Sequence, residues 1–212
     1  LSASFAEHGI ELILRRGDSA SELARLCAEA GTERIHTIRH FEPWWQDAEA
    51  VVSSDFDLVR HDGNQLAPPS SILTGGGTRF RVFTPWWKAL LTKMPPPKPL
   101  SVPAAMQGVA GLHSDTLENW SLLPRSPNWS GGFSNWMPGE EGARDALRSF
   151  LPNIGAYDDD RNLPSKPGIS RLSPHLHFGE ISPATIWHRA SKAAGSVAEP
   201  DGLVGASSAM TH

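Results

Sequence analysis

Apolar positions change their spacing along this chain. Up to about His61, short apolar runs alternate with segments of helical period, whereas beyond Pro138 only the helical period remains. Leu1, Phe5 and Ala6 fall on one helical face before Gly9. Ile10 to Leu14 is a short apolar run bounded by charges, the pattern of a buried strand. Asp18 or Ser19 then caps a helix whose Leu23, Leu26, Cys27 and Ala30 share a face, and Gly31 stops it. Arg34 to Arg39, with Ile35, Thr37 and Ile38 in imperfect alternation, reads as a second strand. Glu42 to Ser54 reads as a helix with Pro43 in its first turn, and Asp57 to His61 as a third strand ended by Asp62-Gly63. Strand–helix–strand–helix–strand at this spacing predicts an α/β fold with a Rossmann-like parallel sheet.

The middle of the chain is different. Gln65 to Lys98 is transitional, and Gly75-Gly76-Gly77 is a turn rather than a phosphate loop, because no Gly-Lys-Ser/Thr follows it. Thr84 and Pro85 form a cap and first-turn pair for a helix containing Trp86 and Trp87, both read as packing residues. Pro95 to Pro99 is an extended spacer, and the chain stays rich in Pro, Ser and Gly to about Asn135. A helix follows with Ala143, Ala146, Leu147, Phe150 and Leu151 on one face. Two further helix starts, Ser173-Pro174 and Ser182-Pro183, each pair a side-chain cap with a ring preset for the first helical position. Gly179 ends the first of these helices and Gly195 the second; after Gly195 the periodicity is lost.

Composition narrows the picture. The chain has 212 residues, 39% of them hydrophobic and 20% charged, as expected for a globular protein with room for a core. Its 1 cysteine, Cys27, excludes an internal disulfide, and neither a membrane-length apolar run nor a leader pattern is visible, so the chain reads as cytoplasmic. A net charge of −4 gives no general nucleic-acid footprint, so any such contact must come from a local patch. The 8 tryptophans against 1 tyrosine suit flavin or base stacking, although buried packing is their commoner use.

The candidate chemistry sits ahead of Pro174. Ser170, Arg171 and Ser173 bring two hydroxyls and a guanidinium together with backbone N–H groups at a helix start, an arrangement suited to phosphate oxygens. Asp158-Asp159-Asp160 is a solvated turn rather than a metal site, because consecutive carboxylates diverge. His175 and His177, two apart on a helix, point to different faces and make no zinc pair.

The run from Tyr157 to Pro183 resembles the DNA photolyase/cryptochrome family. Tyr157, Arg161, Asn162 and Pro164 match its Y-x-x-x-R-N-x-P pattern. Ser170-Arg171-Leu172-Ser173-Pro174 with Gly179 and Ser182 match T-S-R-L-S-P-x-L-x-x-G-x-[IL]-S, except that Ile169 replaces the family threonine. Val82-Phe83-Thr84-Pro85-Trp86 and Trp136 to Ala143 match two further signatures. The resemblance implies a photolyase α/β domain at 1–67, an interdomain linker at 68–138, and the N-terminal part of an all-α FAD-binding domain at 139–212. It also implies that the chain is a fragment, entered mid-domain and lacking the helices that finish the flavin pocket, hence colourless and inactive alone.

The implied activity is a carbon–carbon lyase reaction, light-driven repair of cyclobutane pyrimidine dimers in DNA by electron transfer from reduced FAD. Tyr157, Ile169, Ser170, Arg171, Leu172 and Ser173 are the implied cofactor contacts, with one hydroxyl lost at Ile169. Arg161 is the implied contact to the DNA backbone, or else a salt-bridge partner of Asp158 or Asp159. Damaged DNA is the implied partner of a monomer, and no residue is assigned a catalytic or metal role. An antenna chromophore, folate or deazaflavin, has no support here, because Trp44 and Trp45 stand where folate-binding members carry Asn-Glu. Two readings stay open beside repair: a cryptochrome-type photoreceptor without repair activity, and a nucleotide-holding module that docks a partner through its Trp-rich linker.

Overall fold

The computed structural model describes residues 1–197, and these form two units. One is built from residues 1–63 and 101–134, the other from 64–100 and the chain from 135 onward. The 68–138 stretch is thus shared between them.

In the first unit, α1 (Ser2–Ala6) leads into α2 (Ser19–Ala30), β1 (Arg34–Ile38), α3 (Pro43–Asp55) and β2 (Asp57–His61). The boundaries follow local chemistry. Asp18 caps α2 by accepting from the Ser21 N–H at 3.0 Å, and its carboxyl lies below its ordinary value, chiefly because of that bond. Gly31 ends α2 in the left-handed conformation, at φ 67°. β1 and β2 are parallel, in register from Arg34 opposite Asp57 to Ile38 opposite His61, with α3 as the crossover. Glu49 of α3 is buried but satisfied, accepting from Arg60 Nε at 2.5 Å and Trp45 Nε1 at 3.1 Å, which ties the crossover helix to β2.

Ile10 to Leu14 is not a strand. Its hydrogen bonds go to groups outside any sheet: the Ile10 N–H donates to the Phe5 carbonyl at 3.0 Å, the Leu14 N–H to Ser114 Oγ at 2.9 Å, and the Leu14 carbonyl accepts from the Asp115 N–H at 2.7 Å. The sheet therefore has two strands among the described residues.

In the second unit, α4 (Phe83–Leu91) buries Trp87 and Leu90 against Ile72. It starts two residues before the expected Thr84 cap, on Val82 and without a side-chain cap bond. Phe83 joins the tryptophans, its ring centroid 5.7 Å from that of Trp86, and Pro85 remains in the first turn, where its missing N–H leaves no helical bond unmade. The three glycines at 75–77 form a turn closed by the Thr74 N–H on the Thr78 carbonyl at 2.8 Å.

Four more helices follow: α5 (Glu140–Phe150), α6 (Tyr157–Asp160), α7 (Ser173–His177) and α8 (Pro183–Val197). No strand occurs in this stretch among the described residues. Ala143 and Leu147 of α5 pack with Leu172 and Ile181 to make its core. On α8, Ile186 leans on that core, while its neighbour Trp187 joins the Ile72–Trp87–Leu90 cluster. Ser182 caps α8 as expected, accepting from the Thr185 N–H at 3.1 Å. Gly195 does not end this helix, which runs on to Val197 because nothing at that position opposes continuation. The expected loss of order further along falls on 198–212, outside the described residues.

Gly142 is the tightest point of the second unit. A Cβ there would lie 1.7 Å from the Met137 carbonyl oxygen, because the loop before α5 folds back onto the helix's first turn. Gly142→Ala is therefore expected to destabilise the protein by about 1–3 kcal/mol through overpacking. Gly195→Ala, where a Cβ meets nothing within 4 Å, should be neutral or stabilising by up to about 1 kcal/mol. Urea unfolding of both variants checks this, and equal midpoints would refute the tight contact.

Candidate functional site

The segment leading into α7 is shaped by two close approaches. Gly168 lies against the end of α6, where a Cβ would sit 2.6 Å from Asp160 Cβ and 2.7 Å from its carbonyl carbon. Lys166 Nζ pairs with Asp160 Oδ1 at 2.6 Å, closing the same loop. Three residues later Arg171 adopts φ 56°, an uncommon backbone for a residue with a Cβ. The reversal sends Leu172 into the core at 3% exposure and leaves Arg171 on the surface.

Ser173 is consequently not the N-cap of α7. Leu172 takes that position with helical backbone angles and no side-chain cap bond, and its carbonyl accepts from the Leu176 N–H at 2.9 Å. The Ser173 hydroxyl is left exposed at the surface.

A cleft of about 590 Å³ opens in front of this segment, lined by Ile169, Ser170, Arg171 and His175 together with Trp136 and Asn153. A second space of about 230 Å³, sharing Phe150 and Ser170 with the first, is lined also by Tyr157, Leu172, Ile186 and Trp187. The expected contact residues thus divide. Ile169 and Arg171 face the larger space, Tyr157 and Leu172 the smaller, and Ser170 stands between them. Ser173 and Arg161 line neither. Arg161 leans toward Tyr157, its guanidinium carbon 5.7 Å from the ring centroid, and pairs loosely with Asp158 at 3.6 Å. Its buried Nε has no hydrogen-bond acceptor.

The Arg171 guanidinium lies over an aromatic ring rather than in an ion pair. Its central carbon lies 4.2 Å from the Trp136 ring centroid, and among the described residues no carboxylate pairs with it. Its N–H donors and the Ser170 hydroxyl at the cleft wall form a donor set that suits an anion such as a phosphate. The aliphatic Ile169 side chain, 55% exposed, offers nothing to such a ligand.

The functional geometry also depends on a pair that sequence reasoning missed. His175 is 5% exposed, and its Nδ1 lies 2.6 Å from Glu180 Oε2. A carboxylate only accepts, so Nδ1 carries the proton and Nε2 is the nitrogen left over. The Glu180 N–H donates back to the His175 carbonyl at 2.8 Å. Burial works against the charge on Glu180, but the hydrogen bonds from His175 and the Gly139 N–H, with the field of the imidazole, outweigh it and hold the carboxyl below its ordinary value. The legible signal was a histidine five residues before a glutamate, with Gly179 at φ 70° turning the chain between them. Among the described residues no group of three or more metal-ligating side chains occurs, and no helix is long and apolar enough to cross a membrane.

Comparison with known proteins gives a consistent answer. Residues 1–104 match the model of the DNA photolyase family. A deoxyribodipyrimidine photo-lyase of Agrobacterium fabrum is 37% identical over 201 residues, covering 89% of this chain and 41% of the relative. One from Streptomyces griseus is 34% identical, covering 92% and 43%. The crystal structure of a bacterial class III photolyase from Agrobacterium tumefaciens superposes with a TM-score of 0.89 at 32% identity, covering 99% of this chain and 44% of that one. The chain thus spans roughly two fifths of the length of these relatives.

The depressed Glu180 carboxyl makes a pH-dependent contribution to stability. It is complete above the ordinary carboxyl value of 4.5 and is lost as the pH falls through the lower folded value. Glu180→Gln should therefore destabilise the protein at neutral pH, with the deficit shrinking below about pH 4.5. Urea titrations across pH 3 to 7 measure this, and a pH-independent deficit would exclude the charged pair.

Proposed function

We propose that the chain, whose residues 1–104 match the DNA photolyase family, is a member of that family and serves the light-driven repair of cyclobutane pyrimidine dimers in DNA, a carbon–carbon lyase reaction, with FAD as cofactor. The reading rests chiefly on one observation: the ordered run from Tyr157 to Pro183 folds so that Ile169, Ser170 and Arg171 share a cleft with unpaired donors.

When bound, reduced FAD supplies the light-driven electron. The other roles fall to side chains. Arg171 and Ser170 would hold the diphosphate from the cleft wall, with the exposed Ser173 hydroxyl within the same turn. Leu172 anchors that turn from the core side, and Tyr157, in the adjoining apolar cavity, would meet the flavin. Ile169 adds only van der Waals surface where a hydroxyl would have donated. Arg161, whose buried Nε lacks an acceptor, would turn to a backbone phosphate of the damaged DNA. In this reading residues 1–67 are the α/β domain, 68–138 the connecting segment and 139–212 part of the helical FAD-binding domain. The protein acts as a cytoplasmic monomer, and no residue is assigned to an antenna chromophore.

Two measurements test the proposal. Placed in an intact photolyase, this segment should support flavin absorbance and blue-light repair of a dimer-containing oligonucleotide, whereas the chain alone is expected to be colourless and inactive; flavin without repair would favour a photoreceptor. Arg171→Ala should lower the affinity for FAD about tenfold, the size expected when a charge-assisted hydrogen bond is lost. Unchanged affinity would remove Arg171 from the site.

A further inference from the structure

We infer that Trp136 is a positioning residue for Arg171, holding its guanidinium flat so that the edge of the fork faces the anionic part of the ligand. This rests on the reading of the cleft as a phosphate-binding cofactor site.

An arginine on the surface has many rotamers and gains little from a ligand unless something fixes its plane. Here two constraints meet. The backbone at Arg171 is held at φ 56°, with Leu172 buried beside it, so the side chain leaves the main chain in a set direction. At its far end the guanidinium carbon is 4.2 Å from the Trp136 ring centroid. A guanidinium held flat on that ring face would keep its N–H groups, which lie in its plane, free to donate. Both residues line the 590 Å³ cleft, so those donors have space for an acceptor.

Trp136 is itself held. It is half-buried, and the next residue places its carbonyl against Gly142, in a gap with no room for a Cβ. Pro138 and Gly139, the latter at φ 96°, then turn the chain into α5. The aromatic platform is therefore anchored to a helix, not to a free loop. An indole suits the role better than an aliphatic side chain, because its π face attracts a cation as well as packing against it.

The test uses an intact photolyase carrying this segment, freed of cofactor and titrated with FAD and, separately, with riboflavin, which lacks phosphate. Trp136→Leu should weaken FAD roughly 3- to 10-fold while leaving riboflavin unchanged, and Trp136→Phe should restore most of the loss. Arg171→Lys keeps the charge but loses the flat fork, and should resemble Trp136→Leu. In an NMR spectrum, the Arg171 side-chain resonances should lose their ring-current shift in Trp136→Leu. If Trp136→Leu leaves FAD affinity intact while Arg171→Ala lowers it, the positioning role is wrong and the cofactor site stands. If neither substitution matters, the cofactor reading fails and this inference with it. Equal losses for FAD and riboflavin would mean that Trp136 supports the fold generally, which also overturns the proposal. Should Trp136→Leu not fold, Trp136→Phe and Arg171→Lys decide by the same comparison of the two flavins.

Discussion

The second unit is organised around one carboxylate. Glu180 accepts from the His175 imidazole, and its own N–H donates to the His175 carbonyl, so a single residue ties α7 to the turn into α8; the nearby Gly139 N–H, ahead of α5, also favours its charge. A carboxylate in this much protein is tolerable only because donors surround it. Immediately beside this polar junction, Leu172 and Ile181 pack on Ala143 and Leu147. The apolar contacts supply cohesion, while the hydrogen bonds specify which of many similar packings is adopted.

From that junction the wall of the cleft follows by short steps. Leu172 is drawn into the core, Arg171 must then reverse the backbone, and Gly168 lets the preceding loop close on Asp160. Next to it the loop before α5 presses into Gly142 and presents Trp136 under the Arg171 guanidinium.

What was legible in the sequence was local chemistry. Asp18 and Gly31 bound α2, Pro43 opens α3, and Asp57 to His61 is the strand that its pattern foretold, because each signal acts within a few residues. The family resemblance was legible too, and part of the motif run that carries it, Gly168 to Arg171 with His175, lines the cleft. The errors arise where distant contacts decide. Ile10 to Leu14 has strand-like composition but finds loop partners around Ser114. Ser173 loses its cap position to Leu172 because core burial moves the helix start. The His175–Glu180 pair and the Trp136–Arg171 contact were invisible as pairs. Each residue alone has an ordinary surface or packing reading, and only the folded chain brings the partners together.

The two-sided packing of α8 has a consequence for how this polypeptide comes to be folded. Trp187 completes the cluster begun by Ile72, Trp87 and Leu90, and the neighbouring His188 donates from Nε2 to the Pro96 carbonyl at 2.9 Å. The chain leaves this unit after Leu100 and returns only at Asn135. During vectorial synthesis α4 therefore emerges well before the helix that covers it, and its tryptophan face stays wet while the intervening residues are added. Such a discontinuous unit closes late and carries high contact order, which makes the interval before α8 arrives the time when a chaperone would have something to hold.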